Sequence, residues 1–170
     1  PKASSGTVNP GCYKGLTING PGVVVRAGLY IIQNGDLNLS NVTASGVTFY
    51  IDGANKGTFG GINGSTLTAP ITGISGTCTS TGGCNGMLIW DTETNAGKPQ
   101  QGIDFGPGSS TLTGILYFPF APLKFHGNNT TTLNADIVAQ AYVFDGTVTL
   151  NDYVLSPGQS PLLMTPTLLE

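Results

Sequence analysis

Five short apolar segments of this chain follow one pattern and recur at related intervals. They occupy residues 28–32, 46–51, 86–90, 114–118 and 136–140, and each is rich in β-branched or aromatic residues. Four of them begin with glycine, and their first residues are 18, 40, 28 and 22 positions apart. Because the longest interval equals about two repeats, the pattern indicates a strand that recurs about every 20 residues, which is typical of a β-solenoid.

The composition and the periodicity both favour stacked strands. Only 9% of the residues are charged while 39% are hydrophobic, and 26 glycines supply the backbone angles that tight corners need. No window shows the 3.6-residue period of a helix, so almost no helix is expected. The prediction is an all-β, right-handed parallel β-helix with projecting loops. An antiparallel β-sandwich is the alternative, and the Asn-Gly dipeptides at 34–35, 63–64 and 85–86 count toward it as hairpin turns.

The length of 170 residues suits one domain. Residues 1–11 are expected to form a loose lead-in, residues 12–155 a single β-helix domain, and residues 156–170 a C-terminal tail. Leu169 and Glu170 resemble residues that a cloning vector adds. The loops 52–64, 72–85 and 91–101 are expected to project and to carry any recognition surface.

Alternation within the strands predicts which side chains point inward. Leu37 and Leu39 alternate with polar residues, as do Val47, Phe49 and Ile51 with Thr48 and Tyr50. The predicted interior positions are Ile31, Leu39, Phe49, Leu67, Leu88, Ile115, Tyr117, Phe125, Ile137 and Val148.

The charge balance argues against a nucleic-acid partner, and the apolar stretches are too short to predict a membrane span. The net charge is −3 with six Lys plus Arg, so the chain lacks the clustered cations with which a protein neutralises nucleic-acid phosphates. No stretch of 18 apolar residues occurs, so no direct membrane span is expected.

Two of the three cysteines are close in sequence. Cys78 and Cys84 bracket a polar segment, which predicts a disulfide and an oxidising, extracytoplasmic location: cell surface, secreted or periplasmic. Closing so short a loop stabilises the fold by about 2 kcal/mol. Cys12 is then left over, either as a buried free thiol or as a residue whose partner lies upstream.

An ordered series of motifs resembles a known bacterial family. The series comprises residues 10–18 (PGCYKGLTI), 27–32 (AGLYII), 37–39 (LNL), 46–51 (GVTFYI), 67–70 (LTAP), 86–91 (GMLIWD), 110–119 (STLTGILYFP) and 137–139 (IVA). It is similar to the C-terminal β-helical region of TadG-related proteins, the TadE/TadG-like assembly proteins of Flp, or tight-adherence, pili. The resemblance covers about residues 9–150.

The resemblance implies an extracytoplasmic protein tied to pilus assembly or the cell envelope, with envelope or pilus proteins and surface glycans as partners. Members of the family usually carry an N-terminal membrane anchor, and some carry a metal-binding von Willebrand-type domain; neither has a counterpart in this sequence. The family has no established catalytic residues, so none is assigned here. The segment from Cys78 to Cys84 lies where relatives have a shorter, variable turn. The function expected is therefore structural or adhesive rather than enzymatic.

A glycan-active enzyme is an alternative, because β-helices include polysaccharide-degrading enzymes. Glycoside hydrolysis needs two carboxylates that converge on one bond. Most of the nine acidic residues instead end an apolar run or stand in a turn, and the sequence has no Asp-Asp pair. Polysaccharide binding without turnover remains open.

One loop is a candidate ligand or Ca²⁺ site. Trp90, Asp91, Glu93 and Asn95 follow one another closely, and oxygen ligands at alternate positions of a loop can hold Ca²⁺. A sugar could also stack on Trp90. The competing interpretation is a solvated acidic loop after a core strand. No other cofactor is expected.

Threonine triplets suggest a further alternative, an ice-binding face. Thr-X-Thr occurs at 66–68, 111–113, 130–132 and 147–149. Stacked on one flat side of a solenoid, such triplets can order water, although outward threonines also stabilise strands by packing against each other. The triplets are 45, 19 and 17 residues apart, which argues against one continuous array.

Overall fold

The computed structural model describes residues 1–52, 60–71, 78–79, 81–91 and 103–153, and for residues 126–129 it describes the backbone alone. These residues form strands and turns, with no helix among them and hence none that could cross a membrane. The strands stack as a parallel β-solenoid of about six turns, which confirms the predicted class of fold. The antiparallel sandwich is excluded, since the one antiparallel pair in the described part joins residues 78–79 to 83–84.

Eighteen strands make up the described part of the chain. The first nine are β1 (Lys2–Ala3), β2 (Gly6–Val8), β3 (Gly11–Tyr13), β4 (Leu16–Asn19), β5 (Val23–Val25), β6 (Gly28–Gln33), β7 (Leu37–Ser40), β8 (Thr43–Ser45) and β9 (Val47–Asp52). The others are β10 (Ile62–Asn63), β11 (Thr66–Thr68), β12 (Cys78–Thr79), β13 (Gly83–Cys84), β14 (Met87–Asp91), β15 (Asp104–Phe105), β16 (Thr111–Thr113), β17 (Ile115–Asn134) and β18 (Ile137–Asn151).

Each coil has three sides, and β17 shows this most clearly because it runs along all three. Its beginning pairs with β14, its middle with β15 and its end with β16. We call the sides the aromatic face (β3, β6, β9, β14 and the beginnings of β17 and β18), the middle face (β1, β4, β7, β10, β15 and the central parts of β17 and β18) and the threonine face (β2, β5, β8, β11, β16 and the ends of β17 and β18).

The repeat length matches the spacing in the sequence. In-register partners on neighbouring coils are 21 residues apart at Leu16 and Leu37, and 19 at Gly28 and Val47. The segments 53–59 and 92–102, which lie outside the described residues, fall in sequence between the aromatic and the middle face. Because the ladder bonds link one coil to the next, insertions at a corner leave the stacking intact.

The core runs through the centre of the coils. Its aromatic members stack along the axis: the ring of Tyr30 lies 5.3 Å from that of Phe49, and the ring of Phe125 lies 4.8 Å from that of Phe105. On its other side, Phe125 lies 5.3 Å from Phe144, an exposed residue of the last described coil. Six predicted interior side chains are fully buried: Leu39, Phe49, Leu67, Leu88, Ile115 and Phe125.

Four predicted interior positions differ from the structure. Ile31 and Tyr117 are half-buried and point outward, because their strands place the residues on either side of them in the core. Ile137 and Val148 are half-buried because they belong to the last described coil, which has no described neighbour beyond it.

Two further expectations are corrected. Residues 1–11 are not a loose lead-in, since β1 and β2 pair in register with β4 and β5 and form part of the first coil. The sequence did not indicate these strands, because β1 and β2 have only two and three residues and are too short to show alternation. The segment 52–64 is not wholly a projecting loop, because Ile62 in β10 is buried in the core. The tail at 156–170 lies outside the described residues.

Two of the three Asn-Gly dipeptides, 34–35 and 63–64, are corners between consecutive strands of a coil rather than hairpin turns. Asn34 has a φ of 52° between β6 and β7, and Gly64 has a φ of 56° between β10 and β11. Asparagine and glycine adopt this left-handed conformation most readily, so the same residues suit a solenoid corner and a hairpin.

Candidate functional site

A row of large side chains crosses the outer surface of the aromatic face. Ile31 pairs in register with Tyr50, Tyr50 with Trp90, and Trp90 with Tyr117. We call these four residues the aromatic row. All four are half-buried and none is in the core. The row continues to Val138 at one end and to Cys12 at the other.

Two rings of the row, Tyr50 and Trp90, lie close enough to support each other. The centroids of Tyr50 and Trp90 are 5.3 Å apart in an edge-to-face arrangement with an interplanar angle of 72°. Edge-to-face contact is favourable because the positive edge of one ring meets the negative face of the other. Since neighbouring strands lie about 4.8 Å apart, the row repeats its surface once per coil.

A bulge in β14 sets the direction of Trp90. The register shifts between Met87 and Ile89, so that Leu88 and Ile89 both lie in the core. The extra inward residue returns Trp90 to the outer surface and turns Asp91 inward, where it is 1% exposed. Without the bulge, strict alternation from Met87 would put Trp90 inside.

The disulfide-closed hairpin of β12 and β13 borders one side of the row. The predicted bond between Cys78 and Cys84 is present. Cys84, Met87 and Ile115 form a small buried cluster on the aromatic face, against which Leu29, Trp90, Tyr117 and Tyr153 pack. Of the loop predicted to project at 72–85, residues 83–85 are therefore buried, residues 78–79 and 81–82 are exposed, and residues 72–77 and 80 lie outside the described residues.

Thr48 joins this hairpin to the solenoid. It points outward from β9 yet is fully buried. Its hydroxyl accepts a hydrogen bond of 2.8 Å from the amide of Cys84 and donates one of 2.7 Å to the carbonyl of Met87. One buried hydroxyl thus satisfies two backbone groups of the segment that borders the row.

Polar side chains border the other side of the row. Gln33 pairs in register with Asp52, and both are exposed two positions beyond Ile31 and Tyr50 on the same surface of their strands. The exposed surface thus combines half-buried rings with an amide and a carboxylate. Such a surface can bind a ligand that has apolar patches edged by hydroxyl groups.

The four residues predicted as a ligand or Ca²⁺ site do not form one described site. Trp90 faces outward, while Asp91 is buried and pairs in register with the core residue Ile51. Glu93 and Asn95 lie outside the described residues. Among the residues the structure describes, no three His, Cys, Asp or Glu side chains are grouped as metal ligands.

Three ionisable groups of the described residues near the row, Tyr30 in the core, Asp136 and Tyr153, have raised pKa values. Burial is the main cause that raises the pKa of Tyr30, and the nearby Tyr13 is a smaller one. The hydroxyl of Tyr30 donates a hydrogen bond to the carbonyl of Arg26. Burial is also the main cause that raises the pKa of Asp136, with a smaller effect of Asp152. The pKa of Tyr153 is raised mainly by burial and less by Asp136. Cys12 is an exposed free thiol, which excludes the buried thiol considered for it.

The sequence pointed to Trp90 but missed the rest of the row. Ile31 and Tyr117 looked like core residues, and Tyr50 stood in a strand with no sign of its neighbours. Only the register between coils, which are up to 40 residues apart here (Tyr50 to Trp90), brings them together. The distance from the opening glycine does not show it, because Ile31 and Tyr117 stand three residues after their glycine while Tyr50 and Trp90 stand four residues after theirs.

Comparisons with protein-family models, with curated proteins and with solved structures give no match to this chain.

Proposed function

We propose that this chain is a non-enzymatic structural or adhesive module of a bacterial cell-envelope or surface protein, associated with pilus assembly or attachment. The observation that carries the proposal is the aromatic row, with Tyr50, Trp90 and Tyr117 in register on an outer surface. The resemblance to TadG-related proteins supports the pilus and envelope setting. The disulfide is compatible with an extracytoplasmic location.

Surface polysaccharide is the partner that fits this row best. Each sugar ring has an apolar face, which aromatic side chains cover, and a rim of hydroxyl groups, for which Gln33 and Asp52 offer hydrogen-bond partners. A polysaccharide is also a repeating ligand, and the row repeats at the strand spacing of about 4.8 Å. The solenoid holds the row rigidly, so little conformational entropy is lost on binding.

A glycan array tests this proposal, with the intact chain applied in Ca²⁺ and in EDTA. We expect retention on a subset of bacterial surface polysaccharides, and weaker retention of Trp90→Ala. Tyr142→Ala is the matched control, because Tyr142 is an exposed aromatic residue on the middle face. Circular dichroism establishes that the variants are folded.

The outcomes separate the parts of the proposal. Equal retention of Trp90→Ala and the wild type would remove the aromatic row as the binding surface. Binding to no glycan would overturn polysaccharide as the partner, and shortening of a bound polymer would overturn the non-enzymatic role. Loss of binding in EDTA would add Ca²⁺ as a cofactor.

A further inference from the structure

The threonine face carries five threonines in one continuous rank. Thr66 pairs in register with Thr43 on one side and Thr111 on the other. The rank continues through two more strands, where Thr111 pairs with Thr132 and Thr132 with Thr149. All five side chains point outward and are exposed or half-buried. We call this series the threonine rank.

A second polar rank runs parallel to the first, two residues further along each strand. It consists of Ser45, Thr68, Thr113, Asn134 and Asn151. The amide of Asn151 donates a hydrogen bond of 2.9 Å to the side-chain oxygen of Asn134, and the amide of Asn134 donates one of 3.4 Å to the hydroxyl of Thr113. Neither rank contains a charged residue.

The residues between the two ranks hold the face in place. Ala44, Leu67, Leu112 and Leu133 point inward and are buried in the core. Behind the threonine rank, the buried hydroxyl of Ser65 accepts a hydrogen bond from the amide of Val42, and that of Ser110 accepts one from the amide of Ser65. Threonine is itself stiff at its first side-chain torsion. The outward groups are therefore fixed in position as well as in register.

The irregular spacing of the triplets does not interrupt this array. The segments 53–59, 72–77 and 92–102, which lie outside the described residues, fall in sequence between β9 and β10, between β11 and β12, and between β14 and β15, and not within a strand that carries the ranks. The triplets at 130–132 and 147–149 align with the others by their last threonine rather than their first. Thr132 and Thr149 therefore belong to the threonine rank, while Thr130 and Thr147 pair with each other two positions earlier in their strands. The array is thus longer and more regular than the sequence indicated.

Two repeats define the surface. Successive members of a rank lie about 4.8 Å apart, and the two ranks lie about 6.6 Å apart, twice the rise per residue. The result is a grid of hydroxyl, amide and methyl groups fixed by a rigid backbone. Hydroxyl groups anchor first-shell water, while methyl groups favour cage-like order in the water beside them.

We propose that the threonine face is an ice-binding surface. Water held at the fixed positions of the two ranks forms an ordered layer that merges with the oxygen lattice of ice. Liquid water has no lattice for the grid to match, so binding is specific for the solid. This role rests on the threonine face alone and is independent of the aromatic row.

Thermal hysteresis and ice recrystallisation, measured on the intact chain with ice as the probe, test the proposal. We expect the wild type to separate the melting and freezing temperatures and to shape the growing crystal. The double variant Thr66→Tyr/Thr111→Tyr places two bulky rings in the middle of the rank and should lose the hysteresis. Thr17→Tyr is the matched control, since Thr17 is a half-buried outward threonine on β4 of the middle face.

Each outcome supports or overturns the proposal. Hysteresis that is lost in the double variant and kept in Thr17→Tyr supports it. A wild type without hysteresis at millimolar concentration overturns it, as does a folded double variant with unchanged hysteresis. If the double variant fails to fold by circular dichroism, Thr66→Lys replaces it, because Thr66 is exposed and a long polar side chain fits there. Unchanged hysteresis in that variant also overturns the proposal.

Discussion

The hydroxyl of Thr48 lies 2.8 Å from the amide nitrogen of Cys84. Thr48 is fully buried, although the alternation in its strand places it on the outward side of the sheet. This contact joins β9 to the disulfide-closed hairpin across 36 residues of sequence. It also fixes the border of the aromatic row, because Cys84 packs in the same cluster as Trp90.

Replacing Thr48 by valine should destabilise the protein more than its small change in shape suggests. The amide of Cys84 would lose its hydrogen-bond acceptor in a buried site, which costs about 1–3 kcal/mol. Urea denaturation measures this free energy of unfolding. Thr43→Val is the control, because Thr43 is exposed and its replacement should change the free energy by less than about 0.5 kcal/mol. Equal effects of the two variants would contradict a buried bond.

Removing the ring of Phe125 should have a large effect on stability. Phe125 is 2% exposed and stacks between the buried Phe105 and the exposed Phe144. Truncation to alanine leaves a cavity and should lower the free energy of unfolding by about 3–5 kcal/mol. Phe144→Ala serves as comparison, since Phe144 is 54% exposed and its loss leaves less of a cavity. Similar losses in both variants would show that the stack continues beyond Phe144.

The disulfide should stabilise the hairpin without being needed for the coils. The double variant Cys78→Ser/Cys84→Ser removes a short closed loop and should lower the free energy of unfolding by about 2 kcal/mol. The strand pairs of the three faces do not pass through this hairpin, so the circular dichroism spectrum should keep its β signature. Loss of that signature would mean that the hairpin is required for the solenoid to form.

Asp136 should make stability decrease as the pH rises from acid to neutral. Burial and Asp152 raise its pKa above the ordinary value of 3.8, so the folded state binds the proton more tightly than the unfolded state. This stabilisation is fully present below the unfolded-state pKa and is lost as the pH rises through the folded-state pKa.

Asp136→Asn tests this directly, because asparagine resembles the protonated acid. The variant should have a higher melting temperature than the wild type at pH 7 and an equal one at pH 3. Asp145→Asn removes the same charge at an exposed position of β18 and controls for net charge. A gain that is the same at both pH values, or the same in both variants, would contradict the role of Asp136.

The class of fold could be predicted from the sequence because each coil repeats the same local rules. Glycine or asparagine at corners and alternating strands recur along the described chain, and Phe49 and Leu67 lie inside as the alternation requires. Ile31 was misplaced because its strand is apolar on both surfaces. The phase of alternation cannot be read where every residue in the strand is apolar, as at residues 29–32.

The two outer surfaces could not be predicted because they depend on register between distant strands. The bulge after Met87 places the side chain of Trp90 on the outer surface, and the local sequence contains no pattern that predicts this bulge. The threonine rank likewise pairs Thr66 with Thr111, which are 45 residues apart. The sequence between them does not indicate which residue of one strand lies beside which residue of the other. A shift of one residue in either strand would turn these side chains inward.

The most direct test of the proposed attachment function uses Trp90, the one tryptophan of the chain, as a reporter. Its fluorescence is followed while the polysaccharide retained most strongly on the glycan array is titrated into the protein, and the length of the polymer is then measured by size-exclusion chromatography. A saturable change in emission with the polymer intact is the predicted result. Unchanged emission at saturating polysaccharide, or a shortened polymer, would contradict attachment through the aromatic row.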